Sequence, residues 1–373
     1  MPPRARPFSN AMLLLLCCVY DVLALAFGAV VLQRSPWRGL RRELPLLGML
    51  AAVLVLPIGA LTGAQGGFAA MRGVSHGVFC VLLPLLALRA FCLRRDCRWF
   101  ACVLAACTIT GEACYVWARR VEPFRLEVTE HRITSKRLTG LAKPIRIAVV
   151  ADLQTDAITD YEIGVFDRLV AAEPDLVLYA GDYLQIGGED FARELPKLQE
   201  QVRRLRPRLG SYAVDGDVDL RGANEVFAGT DVQVLADASV ALPGVPIDVH
   251  GMTRMRSRAP FVDAAGVRRL RGERYAILLG HAPDFMLAVV RDGLAADALM
   301  VAGHTHGGQI QLPWFGPLLT LSSVPRWLAA GGVFRRGDSW LVCSRGIGME
   351  RGHAPRIRFL CRPQIILLEL AGE

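Results

Sequence analysis

Ala298-Leu299-Met300-Val301-Ala302-Gly303-His304-Thr305-His306-Gly307-Gly308-Gln309 is the stretch whose reading decides the fold of this chain. Its first five residues are apolar and read as a buried strand. Two imidazoles follow, one residue apart, on a turn flanked by glycine, where no bulky side chain blocks a ligand. Neutral imidazoles facing one small volume suit a first-row divalent metal.

Working outward, the same pattern recurs upstream. Strands are expected at 145–151, 176–180, 211–214, 231–235, 246–250, 275–280 and 298–302, with helices near 161–173, 189–206 and 221–228. Such alternation predicts a layered α/β domain. The polar residues of interest follow the strands, where α/β folds place ligands. They are Asp152 and Gln154, then Gly181-Asp182, then Gly216-Asp217-Val218-Asp219, then Gly280-His281, then His304 and His306. One Gly-Asp dipeptide is a common turn. Five such ends in order, each after an apolar strand, make a chemical site.

The chain has 373 residues, a net charge of +8 and 53% hydrophobic residues. The apolar excess lies before about residue 120, in runs at 11–33, 44–64, 74–93 and 99–118, each with about the 20 residues a bilayer-crossing helix needs. Asp21, His76 and Glu112 interrupt these runs and are read as structural pairs within a bundle. Arginines such as Arg38, Arg41, Arg94 and Arg98 flank the runs, which suits lipid phosphates. No aromatic-interleaved basic stripe is present, so no nucleic-acid partner is expected. The richer arginine loops predict a cytoplasmic side opposite the C-terminal domain, which would then be periplasmic in a bacterial inner membrane. Of ten cysteines only Cys343 and Cys361 lie beyond the apolar third, and no disulfide framework is expected, although one bridge between those two stays open. No P-loop, Rossmann fingerprint or Ser-His-Asp triad signature appears.

These motifs, over about 144–370, resemble the calcineurin-like metallophosphoesterases, of a membrane-anchored bacterial branch. That family carries Asp-x-His, Gly-Asp, Gly-Asn-His-Asp, a lone His and Gly-His-x-His in this order. The apolar runs predict an N-terminal four-helix transmembrane region over 1–120, followed by a linker and leading strand over 121–143, and the resemblance implies an α/β metallophosphoesterase fold over 144–373, a β-sandwich flanked by helices. It implies two divalent ions. Asp152 and His306 would bind the first, Asp182 would bridge, His281 and His304 would bind the second, and Gln154 and Asp217 complete the ligand set. Asp182, His304 and Asp217 would act in catalysis, with Arg345 facing the substrate phosphate. The activity implied is hydrolysis of a phosphodiester, phosphomonoester or pyrophosphate by a hydroxide activated between two metals. The substrate is expected to be a phosphorylated small molecule or lipid at the membrane.

Three residues depart from the family pattern, and the first, Asp217 for asparagine, keeps an oxygen ligand and adds a negative charge that should strengthen metal binding. Gln154 stands where the family has histidine, which tilts the site toward manganese or magnesium over iron or zinc. Val218 stands where the family has the histidine that assists the leaving group. Losing a general acid typically lowers the rate about 10²–10⁴-fold, less for an acidic leaving group. Pyrophosphate-type or activated diester bonds are therefore expected, or an acid borrowed from His250 or His353. The rival reading is a degenerate metal-binding membrane sensor or scaffold without turnover.

Overall fold

The computed structural model describes residues 10–63, 67–352 and 354–373. The chain divides into two compact units, Met1–Ala118 with Gly352–Arg356, and Arg119–Arg351 with Ile357–Glu373.

The first unit is helical. It holds α1 (Asn10–Arg34), α2 (Leu40–Gly63), α3 (Gly67–His76), α4 (Leu83–Leu93) and α5 (Arg98–Val116), with a π-helical turn over Gly77–Leu82 joining α3 to α4. Among the described residues three stretches are long and apolar enough to cross a membrane, Leu40–Ala60, Gly67–Leu93 and Arg98–Phe124, which is consistent with a membrane anchor. These match the second, third and fourth of the expected runs. The run at 11–33 is helical, but its side chains before Val19 lie outside the described residues. The third span also starts earlier than 74, because Arg72 does not interrupt a helix whose neighbours Phe68 to Met71 are good apolar helix residues.

Charges inside this unit are paired. Arg89 grips Glu43 with two bonds of 2.5 and 2.6 Å and donates to the carbonyls of Leu32 and Ser35. His76 lies 2.9 Å from Asp21, so two of the expected intrahelical polar groups satisfy each other. The Arg89–Glu43 pair had no signal in the sequence, since Glu43 precedes the second apolar run and Arg89 lies within the third, 46 residues away.

The second unit is built from strands that alternate with short helices. In chain order they are β1 (Glu127–Ser135), β2 (Ile145–Val150), α6 (Asp160–Ala171), β3 (Leu176–Tyr179), α7 (Gly188–Arg203), β4 (Ser211–Ala213), α8 (Ala223–Val226) and β5 (Val232–Val234). There follow β6 (Ala238–Ala241), β7 (Ile247–Gly251), α9 (Arg254–Ser257), α10 (Ala264–Arg271), β8 (Tyr275–Leu279) and β9 (Ala298–Ala302). The chain closes with β10 (Gln311–Leu312), β11 (Gly316–Pro317), β12 (Gly332–Arg336), β13 (Ser339–Cys343) and β14 (Gln364–Gly372). One six-stranded sheet runs β1-β14-β2-β3-β4-β5 and the other β12-β13-β9-β8-β7-β6.

Strand periodicity explains the layers. Ile147 and Val149 face a core shared with Ile277, Leu279, Leu299 and Val301 of the second sheet. Ala148 and Val150 face outward onto Val165, Phe166 and Leu169 of α6 and Leu198 of α7. On the far side, Ala276 and Leu278 pack with Val262 and Leu270. Both faces of each central strand are thus apolar, which is why these strands read as continuous hydrophobic runs. The result is a sandwich of two sheets with helices outside. α6 is set by a capping box, in which Thr159 caps the Tyr161 end and Glu162 returns to the Thr159 N–H. β2, β3 and β4 run parallel, as do β8 and β9, so their C-terminal ends collect at one edge of each sheet.

Truncating one partner of the buried pair tests the first unit. Arg89→Ala leaves Glu43 buried and uncompensated, a loss of about 3–5 kcal/mol. The unfolding midpoint of the full chain in detergent should fall markedly, and the double variant Arg89→Met with Glu43→Leu should recover most of it.

Candidate metal centre

The strand ends turn sharply. Asp152, Gln154, Asp182, His304 and His306 have φ of 46°, 35°, 58°, 69° and 49°, the left-handed region that L-residues other than Asn, Asp and His rarely enter. Strain of about 1–3 kcal/mol at each such position persists only where the surroundings over-determine it. Here they do. The N–H of His304 meets both Asp152 carboxylate oxygens at 3.0 Å, and the Asp152 carbonyl accepts from Ile347 and Gly348. Gly303 and Gly216 make the close approach feasible. A Cβ at Gly303 would stand 2.7 Å from the Asp152 carboxylate, and one at Gly216 would stand 2.2 Å from Asp182.

Two sets of donors result. Asp152, Asp182 and His306 form one, and Asp217, His281 and His304 the other, with the atoms of each within 4.8 Å of one another. Asp182 reaches across, its carboxylate 3.4 Å from His281 Nε2. His304 Nδ1 lies 3.0 Å and His281 Nε2 3.7 Å from the Asp217 carboxylate. Each of these two imidazoles is oriented by its other nitrogen. His281 Nδ1 donates to the Ala180 carbonyl at 2.8 Å, and His304 Nε2 to Leu321 at 2.9 Å. His281 Nε2 and His304 Nδ1 are thereby turned toward the carboxylates, where each becomes a ligand atom once a metal replaces its proton, the pattern that fixes metal-ligating histidines. His281 Nε2, His306 Nδ1 and Gln154 Oε1 are buried without a hydrogen-bond partner in the structure. Orphaned nitrogens and an amide oxygen beside carboxylates fit divalent cations with mixed N/O ligands.

Gln154 is clasped from behind. Its Nε2 donates to Glu350 at 2.8 Å and to Gln185 at 3.2 Å, while Gln185 Nε2 donates to the other Glu350 oxygen at 2.7 Å. The amide is thereby turned so that its oxygen is the free end. Asp219 serves the loops: it accepts from the N–H groups of Asp182, Tyr183 and Gly216. Val218 contributes its backbone, whose N–H meets Asp182 Oδ1 at 2.9 Å.

The electrostatics reflect crowded charge. Burial, with repulsion from Asp182, pushes the Asp152 carboxyl up to about 7 despite the pull of His281. Burial and Asp182 likewise raise Asp219 to about 6. Burial alone would depress His281, but Asp182, Asp217 and Asp152 override it and hold the imidazole at about 10. Burial would raise Asp217, yet hydrogen bonds from His281, His304 and Arg258 hold it far below the usual carboxylate range. Burial and the Arg358 guanidinium keep His306 neutral, well below the ordinary imidazole range.

Several expected residues have further settings. Arg345 pairs with Glu127 on β1, and its Nε is buried without a hydrogen-bond partner. His250 is fully buried, bonded to Ser239 at 2.9 Å with Asp263 3.2 Å away, and so cannot lend a proton to the site. His353 lies outside the described residues. Cys343 and Cys361 are both free thiols, which removes the bridge left open between them. Sequence reasoning also missed contributors. Arg358 is fully buried and ties down the 345–348 loop through the carbonyls of Arg345, Gly346 and Gly348. Arg254 and Arg258 meet Asp217 from α9 and the residue after it. Their one sequence signal was the alternating Arg254, Arg256, Arg258, which looks like any solvated basic turn.

Fold and site together define an α/β sandwich with paired carboxylate and imidazole donors at its strand ends. No protein-family profile matches the chain. Among curated proteins it is similar to the uncharacterized metallophosphoesterase YkuE of Bacillus subtilis, 28% identical over 72% of this chain and 93% of that protein. It is also similar to the phosphodiesterase YaeI of Escherichia coli, 26% identical over 71% of this chain and 96% of that one. A solved Pseudomonas putida nuclease MPE overlays 55% of this chain and 76% of its own at 17% identity, but its TM-score of 0.29 is too low to bear on the fold. These relatives are named as metallophosphoesterases or phosphodiesterases, a likeness that supports the calcineurin-like metallophosphoesterase family and a metal-dependent phosphoester hydrolase.

The pH response of the metal-free protein checks these charges. A raised group stabilises below its unfolded pKa and loses that contribution as pH rises through its folded value. Asp152 loses it through about 7, and His281 between 6.5 and about 10. Neutral His306 and ionised Asp217 add no opposing change above pH 6.5. With chelator present, the melting temperature should fall from pH 6.5 to 8.5, and saturating Mn²⁺ should flatten the fall by replacing protons. A profile that rises over this range contradicts the assignment.

Proposed function

We propose that this chain is a membrane-anchored phosphoesterase whose two ions are held by Asp152, Asp182, His306 and Gln154 on one side and by Asp182, Asp217, His281 and His304 on the other. The observation that carries this reading is the pair of facing donor sets, with His281 and His304 each anchored through one ring nitrogen so that the other is turned toward the carboxylates. Bound there, two divalent ions supply a clamp on phosphoryl oxygens and a water acidic enough to serve as nucleophile near neutral pH.

The protein's own part is positioning. Asp182 lies between the sets, and its carboxylate is oriented by the Val218 N–H. The bridging place demands a carboxylate, since no neutral side chain offsets two cations. Gln154 offers an amide oxygen, a harder donor than imidazole, which favours Mn²⁺ or Mg²⁺ over zinc or iron. Val218 offers no proton, and buried His250 supplies no substitute. The substrate class that fits is therefore a diester or pyrophosphate with an acidic leaving group. Three apolar helices on the same chain support a membrane-borne substrate, lipid-linked or small, and the arginine distribution favours the periplasmic face of a bacterial inner membrane. The missing acid at Val218 is also what favours a second reading, a metal-binding sensor without turnover.

Hydrolysis of bis-p-nitrophenyl phosphate by the purified full chain separates the two readings. With Mn²⁺ the native chain should turn over, and Asp182→Asn should fall to background. Stoichiometric Mn²⁺ with no turnover on a broad phosphoester panel would establish the sensor instead. The Gln154 clasp has its own readout. Glu350→Ala frees the amide to turn, and calorimetry should show Mn²⁺ affinity lowered about 10–100-fold, the usual loss when an outer partner of a ligand is removed.

A further inference from the structure

Where the family pattern has a histidine, this chain has Val218, and the space around Asp217 is filled instead by arginine. Arg258 Nη2 bonds the Asp217 carboxylate. Arg254 Nη1 donates to the Asp217 carbonyl at 3.4 Å, and its Nε lies 3.9 Å from the carboxylate. Both side chains are about half exposed, at 51% and 49%, whereas His281 beside them is fully buried. They therefore stand at the open side of the Asp217, His281, His304 set.

Their support is rigid. The start of α9 is pinned through the Thr253 N–H on Asp237 at 2.9 Å. Ser257 Oγ accepts from the Ala282 N–H at 3.2 Å, which fixes α9 to the strand end that carries His281. A guanidinium has five N–H donors in a planar fork. Asp217 engages one edge of the Arg258 fork and leaves the rest facing outward. Simple neutralisation of Asp217 needs one cation; two converge here.

We propose that Arg258, backed by Arg254, binds the substrate phosphate beside this donor set and takes over the charge-stabilising half of the task that Val218 cannot perform. This rests on the phosphoesterase reading above. Arginine matches phosphate with paired N–H bonds and stays protonated at any physiological pH. It stabilises the charge spread over the equatorial oxygens in phosphoryl transfer, but it gives up no proton. The site thus holds a charge clamp without a general acid. The ligand class is a phosphodiester or pyrophosphate whose leaving oxygen departs unprotonated.

The test uses the full chain in detergent, loaded with Mn²⁺ and titrated calorimetrically with inorganic phosphate. Arg258→Ala should weaken phosphate binding roughly 10- to 100-fold, as for a lost charged hydrogen bond. Arg258→Lys should weaken it less, and Arg291→Ala, an exposed arginine paired with Asp292, should not change it. Mn²⁺ stoichiometry and affinity, measured on the same samples, should stay at the native level. The proposal is overturned if the native chain does not bind phosphate, if Arg258→Ala binds it as tightly, or if binding falls only in step with lost Mn²⁺. That last result would make Arg258 a positioning residue for Asp217. Turnover of bis-p-nitrophenyl phosphate, read separately, distinguishes failure of the enzyme reading: phosphate binding lost in Arg258→Ala with a native chain that never turns over supports the anion site and removes the hydrolase.

Discussion

Buried negative charge that lacks its own counterion governs this protein. Asp152 and Asp182 sit almost wholly out of water at the ends of neighbouring strands. Carboxylates desolvated in this way persist only if protonated, paired or bound to cations. The raised pKa of Asp152 and the proton held by His281 are how the metal-free chain compensates. His281 Nε2, His306 Nδ1 and Gln154 Oε1, buried without hydrogen-bond partners, point to the other solution, a cation in place of those protons.

The rest of the second unit can be understood as the scaffold this charge requires. Parallel strands with both faces covered bring their C-terminal ends to one place and hold them there with two apolar layers. Five left-handed residues then bend the chain into the site. Their strain is borne by hydrogen bonds from His304, Ile347 and Gly348 onto Asp152, and by Asp219 gathering three backbone N–H groups. Arg358, fully buried, donates to carbonyls of the loop that backs Asp152. Polar groups thus serve the site twice, first by orienting ligands and then by fixing the turns that carry them.

The departures from the family pattern fit together chemically. Glutamine for histidine at 154 comes with Glu350 and Gln185, which orient its amide. Valine for histidine at 218 comes with Arg254 and Arg258 on the far side of Asp217. A harder ligand and a charge clamp replace a softer ligand and an acid. Similarity to YkuE and YaeI supports the family, while these neighbours are what individualise the site.

Local pattern made much of this legible in advance. Strands at β2, β3, β8 and β9 were readable because apolar runs of four to six residues end in Gly-Asp or Gly-His, and β9 falls on the expected 298–302. The candidate ligands followed, since each lies within a few residues of its strand. Partners distant in sequence were not legible. β14 inserts between β1 and β2, pairing Glu127 with Gln364 across most of the domain, and no periodicity announces that. The pairing of Arg345 with Glu127 was likewise invisible in the sequence. Glu350, Arg254 and Arg258 look like ordinary surface charge in the sequence and gain meaning only from what lies beside them. Sequence alone determines which residue types end each strand, because that depends on neighbours in the chain. Tertiary structure decides which of them share a volume, because charge, burial and hydrogen bonding act through space.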